Sequence, residues 1–171
     1  QSDNVKDILL RPDYNAGVIC GQFANDVVQS VGFGVPQTEE DIDRYADLIR
    51  SQSVLLSRGG TDINKGLFWA GHSILSIPER FGYGYIKGMI DVSGDGQQKN
   101  GIYVDILNRS PQQIASGYND LLPATYELAV KHNITVNGLA IRSPDYPYSI
   151  PIDQYYDQTV ITPSGLDTFF A

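Results

Sequence analysis

Two apolar runs constrain this chain most: G-Y-I-K-G-M-I-D-V at 84–92 and I-T-V-N-G-L-A-I at 134–141, with a helix-length stretch at 112–132 between them. Each run has the length and the flanking turn residues of a strand. Strands that alternate with helices predict a mostly parallel sheet covered on both faces, because a parallel return needs a crossover connection. The upstream sequence continues the alternation. Thr38 followed by Glu39, Glu40 and Asp41 is a helix start, with Thr38 as N-cap and Asp41 in the capping-box position. Ile42, Tyr45, Ala46 and Ile49 then share one face, which predicts a helix over 39–52. A second helix is predicted from Thr61, with Ile63, Leu67, Ala70, Ile74 and Leu75 as its buried stripe and Pro78 as its end. In the 112–132 stretch, Leu122, Ala124, Leu128 and Ala129 are the apolar contacts, and Pro123 either splits or starts the helix. Residues 151–171 hold a short Tyr-rich helix and a terminal apolar run.

Residues 16–24 and 27–34 read as two short strands joined by a tight turn at Asn25-Asp26. That hairpin adds one antiparallel edge strand. The predicted architecture is therefore one α/β domain over 1–171, a doubly wound, mostly parallel sheet with helices on both faces.

Composition narrows the function. Hydrophobic residues are 42% of the chain and charged residues 19%, so a packed core forms and disorder is not expected. The net charge is −8 and no basic run occurs, which argues against a nucleic-acid partner or an anionic membrane surface. No apolar run approaches the roughly 20 residues of a membrane span, so membrane insertion is not expected. Cys20 is the only cysteine, which rules out a disulfide within the chain and a Cys-based metal site. There is no G-x-S-x-G elbow, H-E-x-x-H, P-loop or G-x-G-x-x-G, so the chain is not expected to be an enzyme.

Two loops carry the site expectations: G-G-T-D-I-N at 59–64 and D-V-S-G-D-G at 91–96. Ligands of open α/β sheets gather at the carboxyl ends of the strands, where these loops fall. Thr61 and Asp95 are hard oxygen donors of the kind that suits Mg²⁺, with Ca²⁺ or Mn²⁺ as alternatives. Asp62 and Ser93 are lesser candidates. The competing reading makes Thr61 a helix cap and Asp95 a turn residue. Asp91, inside an apolar strand, reads as a buried, hydrogen-bonded structural carboxylate. His72 and His132 read as structural. Tyr83, Tyr85, Tyr146, Tyr148, Tyr155 and Tyr156 read first as half-buried rings. Tyr155 and Tyr156 are the partner-binding candidates among them.

G-G-T-D-I-N-K-G-L, I-D-V-S-G-D-G, V-N-G-L-A-I and the closing Q-Y-Y-x-x-x-V-I-T together resemble a bacterial branch of the von Willebrand factor A-like proteins, one known as a domain of unknown function. The resemblance covers nearly the whole chain, in order. It implies a doubly wound sheet with a metal-ion-dependent adhesion site at its top. There the metal is held by a D-x-S-x-S loop after the first strand, by a Thr from a second loop and by an Asp from a third. By position, Thr61 resembles that Thr and Asp95 that Asp. No D-x-S-x-S occurs in the sequence. Residues 1–15 resemble the end of the helix after the first strand, so the domain is expected to be incomplete at its N-terminus. Another protein, or a further N-terminal segment, is then expected to complete the sheet. The stretch around 100–122 is longer than the family pattern and reads as a partner-contacting insertion. The implied function is protein interaction or cell adhesion, in a secreted, periplasmic or cell-surface setting. The alternative is a non-catalytic structural subunit of a larger assembly, with a degenerate metal site.

Overall fold

The computed structural model describes residues 6, 10, 16–52, 60–82, 87–97, 121–141 and 151–163. Strand β1 (Val18–Phe23) and strand β2 (Val27–Gly34) are followed by helices α1 (Glu39–Ser51), α2 (Ile63–Leu75) and α3 (Ile77–Phe81). Strand β3 (Met89–Gly94), helix α4 (Pro123–His132) and strand β4 (Thr135–Ala140) come next. The chain then forms a short helix α5 (Ile152–Tyr155) that widens into a π-helical turn, Tyr156–Val160. The result is a mixed α/β arrangement. Residues 112–120 of the helix expected over 112–132, residues 100–120 of the insertion expected around 100–122, the start of the strand at 84–86, the four tyrosines at 83, 85, 146 and 148, and the apolar run at 164–171 lie outside the described residues.

The hairpin forms where the two strand patterns flank Asn25-Asp26. β1 and β2 pair antiparallel, with register irregularities between Val18 and Gly21. Helix α1 begins as its sequence dictates. Thr38 Oγ1 accepts the Asp41 amide at 3.1 Å, and Asp41 Oδ2 accepts the Thr38 amide at 3.2 Å. The Gln37 amide also donates to Asp41, and this bond is the first cause holding its carboxyl below the usual carboxylate range. Because α1 buries no residue fully, its start depends on this cap. Thr38→Ala is expected to cost about 1 kcal/mol, read as a lower urea midpoint with an unchanged slope.

The core lies between one face of a parallel pair and three helical elements. β3 and β4 pair from Met89↔Thr135 to Gly94↔Ala140. Successive side chains alternate across the pair. Ile90, Val92 and Val136 are buried with Ile63 and Leu67 of α2, Leu128 of α4, and Tyr156 and Val160 of the π-turn. On the other face, Met89 is 58% and Leu139 66% exposed. Among the described residues, the helices cover only one face of this pair.

Helix α2 packs on both strand pairs. A methyl group built on Gly66 would lie 2.9 Å from Phe23, one on Gly21 2.5 Å from Trp69, and one on Gly88 3.0 Å from Ile74. Going down α2, its contacts thus run from the end of β1 back into that strand and then to the residue preceding β3. Both strands therefore run antiparallel to α2 and parallel to each other, and they end at one rim. The Phe23 ring lies 3.8 Å from where a Cβ on Gly94 would sit. The strands nevertheless form two separate two-stranded sheets, one antiparallel and one parallel. The continuous sheet expected from the sequence is not formed among the described residues, because none of them supplies backbone between β1 and β3.

Two boundaries differ from the sequence reading. β3 runs on through Ser93 and Gly94, which pair with Leu139 and Ala140, so the turn is confined to Asp95-Gly96. Pro78 does not end α2: the chain leaves that helix at Ser76, and Pro78 sits in the first turn of α3, where its missing N–H is harmless. Gly82, at φ 70°, closes α3 in the left-handed region. Leu75 is exposed, not part of the buried stripe. Pro123 starts its helix.

Candidate ligand-binding rim

The first turn of α2 decides what Thr61 can do. Asp62, not Thr61, is the N-cap: its Oδ1 accepts the Lys65 amide at 3.1 Å. Asp62 is buried in that role. Thr61 is thus one residue outside the helix, and the reading that made it the cap is corrected. Its side chain packs on the other turn instead. A methyl group built on Gly96 would collide with Thr61 Oγ1 and lie 3.3 Å from its Cβ. Gly96 is required by this close approach. The threonine turn and the aspartate turn therefore meet at the rim, with Asp95 exposed beside Gly96.

Ser93 is exposed on the open face of β3, on the same side as Met89 and Asp91. Asp91 is not buried, as its apolar neighbours had implied. It is exposed and accepts a bond from Asn137 Nδ2 at 2.9 Å across the parallel pair. The strand is apolar on its inner face only, which the sequence pattern alone did not separate. His72 and His132 are exposed near the ends of α2 and α4. Tyr156 is 1% exposed and belongs to the core, while Tyr155 packs against that core half-buried. Their rings meet edge to face at 6.2 Å.

The sequence reading missed the residues that hold the rim in place. The Gly60 amide donates to Asn25 Oδ1 at 2.7 Å, and the Asp62 amide donates to the Ala24 carbonyl at 3.0 Å. Lys65 Nζ donates to the Asn25 carbonyl at 3.1 Å and to Asp26 Oδ1 at 2.7 Å. The Lys65 bond holds the Asp26 carboxyl below its ordinary range. Asn25-Asp26 was visible as a turn. Its contact with a loop 35 residues away depends on where the hairpin docks on α2, which no local pattern states.

Thr61 and Asp95 are a hydroxyl and a carboxylate, both suited to a hard divalent cation. Among the described residues, no group of three or more His, Cys, Asp or Glu side chains is placed to hold a metal. No helix among them is long and apolar enough to cross a membrane. The fold and the rim define a mixed α/β protein with a polar convergence where β1 and β3 end. The chain belongs to the family described as Protein of unknown function (DUF1194), whose model matches residues 18–170. No curated protein and no solved structure matches it.

Proposed function

We propose that the chain is the main part of a von Willebrand factor A-like interaction or adhesion module, secreted or exposed on the cell envelope, that works by binding and not by turnover. The observation that carries this reading is the packing of Thr61 on Gly96, which brings the two donor turns together. They meet at the strand ends where open α/β sheets take their ligands. Thr61 and Asp95 would hold Mg²⁺, or Ca²⁺ or Mn²⁺ in its place, with water filling much of the coordination shell. Bound there, the cation offers its charge to an acidic group on a partner protein. Asp62 is already engaged as a cap and Ser93 lies on the open sheet face, so both rank behind.

The remaining donors of such a site are absent from this sequence, which has no D-x-S-x-S. We assign them to a strand supplied by another protein or by a segment outside these residues. β1 and β3 run in the same direction over α2, yet β1 pairs with β2 and β3 with β4. One further parallel strand between β1 and β3 would join the pairs into a doubly wound sheet.

Titration calorimetry of the intact natural protein with Mg²⁺, Ca²⁺ and Mn²⁺ tests the site. Saturable binding is expected, and Asp95→Ala should weaken it about tenfold or more. Absence of binding would favour a second reading, a structural subunit with a degenerate metal site. The exposed Met89, Leu139 and Ile141 favour that reading, since a permanent neighbour would cover such apolar groups.

A further inference from the structure

We infer that the β1–β2 turn is a third part of the rim, and that Asn25 is a positioning residue that holds the Thr61 turn against Gly96. The functional weight of this inference rests on the proposed reading of Thr61 and Asp95; its geometry does not. Thr61 is flanked by two backbone amides, Gly60 and Asp62, and both donate to the hairpin turn. Gly60 bonds the Asn25 side chain at 2.7 Å, the shorter of the two, and Asp62 bonds the Ala24 carbonyl at 3.0 Å. Lys65, one turn into α2, closes the same connection through the Asn25 carbonyl and Asp26.

Each partner has a reason for its type. The first amides of a helix and of its approach have no intrahelical acceptor, so they must find one elsewhere. Asn25 presents a carbonyl oxygen from a side chain short enough to stay in its own turn. Lys65 spans a longer gap, and its ammonium donates to two acceptors at once. The effect is to fix the backbone on both sides of Thr61, which holds that residue against Gly96. A two-donor rim gains from such pre-organisation, because the ordering is done before the ligand arrives.

Amide exchange by NMR reads the latch without any ligand. In Asn25→Ala, exchange of the Gly60 amide should quicken roughly five- to tenfold, the effect of losing one net hydrogen bond. The contact between the Thr61 methyl and Gly96, seen as a cross-relaxation peak, should weaken. The Val92 and Val136 amides should be unchanged, which shows that the core still folds. Asn25→Asp keeps the acceptor oxygen and should restore the Gly60 exchange rate. An unaltered Gly60 rate and Thr61–Gly96 peak in Asn25→Ala would overturn the inference. A Mn²⁺ titration of the same variants should follow the exchange data: weaker in Asn25→Ala, near wild type in Asn25→Asp. If both variants bind Mn²⁺ as the wild type does while the latch signals move, Asn25 does not position the binding pair. If the wild-type protein itself binds no Mn²⁺, the metal reading fails, and the latch is still judged by Gly60 and Thr61.

Discussion

Truncating Tyr156 to alanine is expected to destabilise the protein by about 3–5 kcal/mol, the range for removing a large aromatic from a packed core. Tyr156 sits at the junction of α5 and the π-turn, and its ring is seated over two glycines. A methyl group on Gly138 would lie 2.9 Å from Tyr156 Cδ1, and one on Gly94 would lie 2.6 Å from its hydroxyl. The hollow that takes the ring is thus made by the absence of side chains on β3 and β4. After truncation, neither glycine has atoms to move into the void. The nearby Ile161 side chain, 3.0 Å from the same Gly138 position, is only half-buried and belongs to the segment that the ring anchors. Partial collapse is therefore limited, which places the loss toward the upper part of the range. Chemical denaturation should show a lower midpoint at constant slope. Since small domains are stable by only about 5–15 kcal/mol, such a loss can leave a visible unfolded fraction. A change under about 1 kcal/mol would show that the ring is not a core side chain, since surface substitutions fall in that range.

The burial of Tyr156 also shows where the sequence stopped being informative. Adjacent tyrosines read as a candidate partner surface, yet one is core and the other half-buried. Nothing in Q-Y-Y-D distinguishes them, because the distinction comes from glycines on two strands far along the chain. Features set within a few residues were legible: the Thr38–Asp41 cap, the turn at Asn25-Asp26, the apolar positions of α4 and the strand β4. Their energies are local, so the pattern carries them. Features set by docking were not. Ser93 and Gly94 look like loop residues until β4 pairs with them. Pro78 looks like a stop until the chain turns at Ser76 and uses it as a start. The order of the strands is the extreme case, since an apolar run states that it is a strand but not which edge it meets. At the rim, the convergence of the Thr61 and Asp95-Gly96 turns followed from strand ends sharing one side. The latch from Asn25 did not, because its acceptor meets the loop only after α2 has packed on β1.

The start of α2 carries a second consequence, at α4. Asn64→Leu is expected to cost about 1–3 kcal/mol, the penalty of leaving a buried amide without its acceptor. Helix α4 opens on Leu122 and Pro123, and no side chain of its own caps it. Pro123 brings no N–H, so the next donor in need of an acceptor is the amide of Ala124, a residue with no exposed surface. Asn64 supplies the acceptor from the neighbouring helix, with its Oδ1 at 3.2 Å. Asn64 is itself buried, so water cannot easily replace it. Leucine keeps the branching and heavy-atom count of asparagine but replaces its amide with bulkier methyl groups, so the loss combines the missing hydrogen bond with some crowding. Asn64→Asp separates the two effects, because it keeps the oxygen and places a negative charge at a helix N-terminus, where the dipole favours it. It should recover most of the stability at neutral pH and lose it again in acid, as the carboxyl protonates. Exchange of the Ala124 amide should track the same order: fastest in Asn64→Leu, slower in Asn64→Asp. If Asn64→Leu matches the wild type in both midpoint and Ala124 exchange, α4 is capped by something other than α2. The two helix starts would then be independent, and the packing of α2 on α4 alone would have to hold them together.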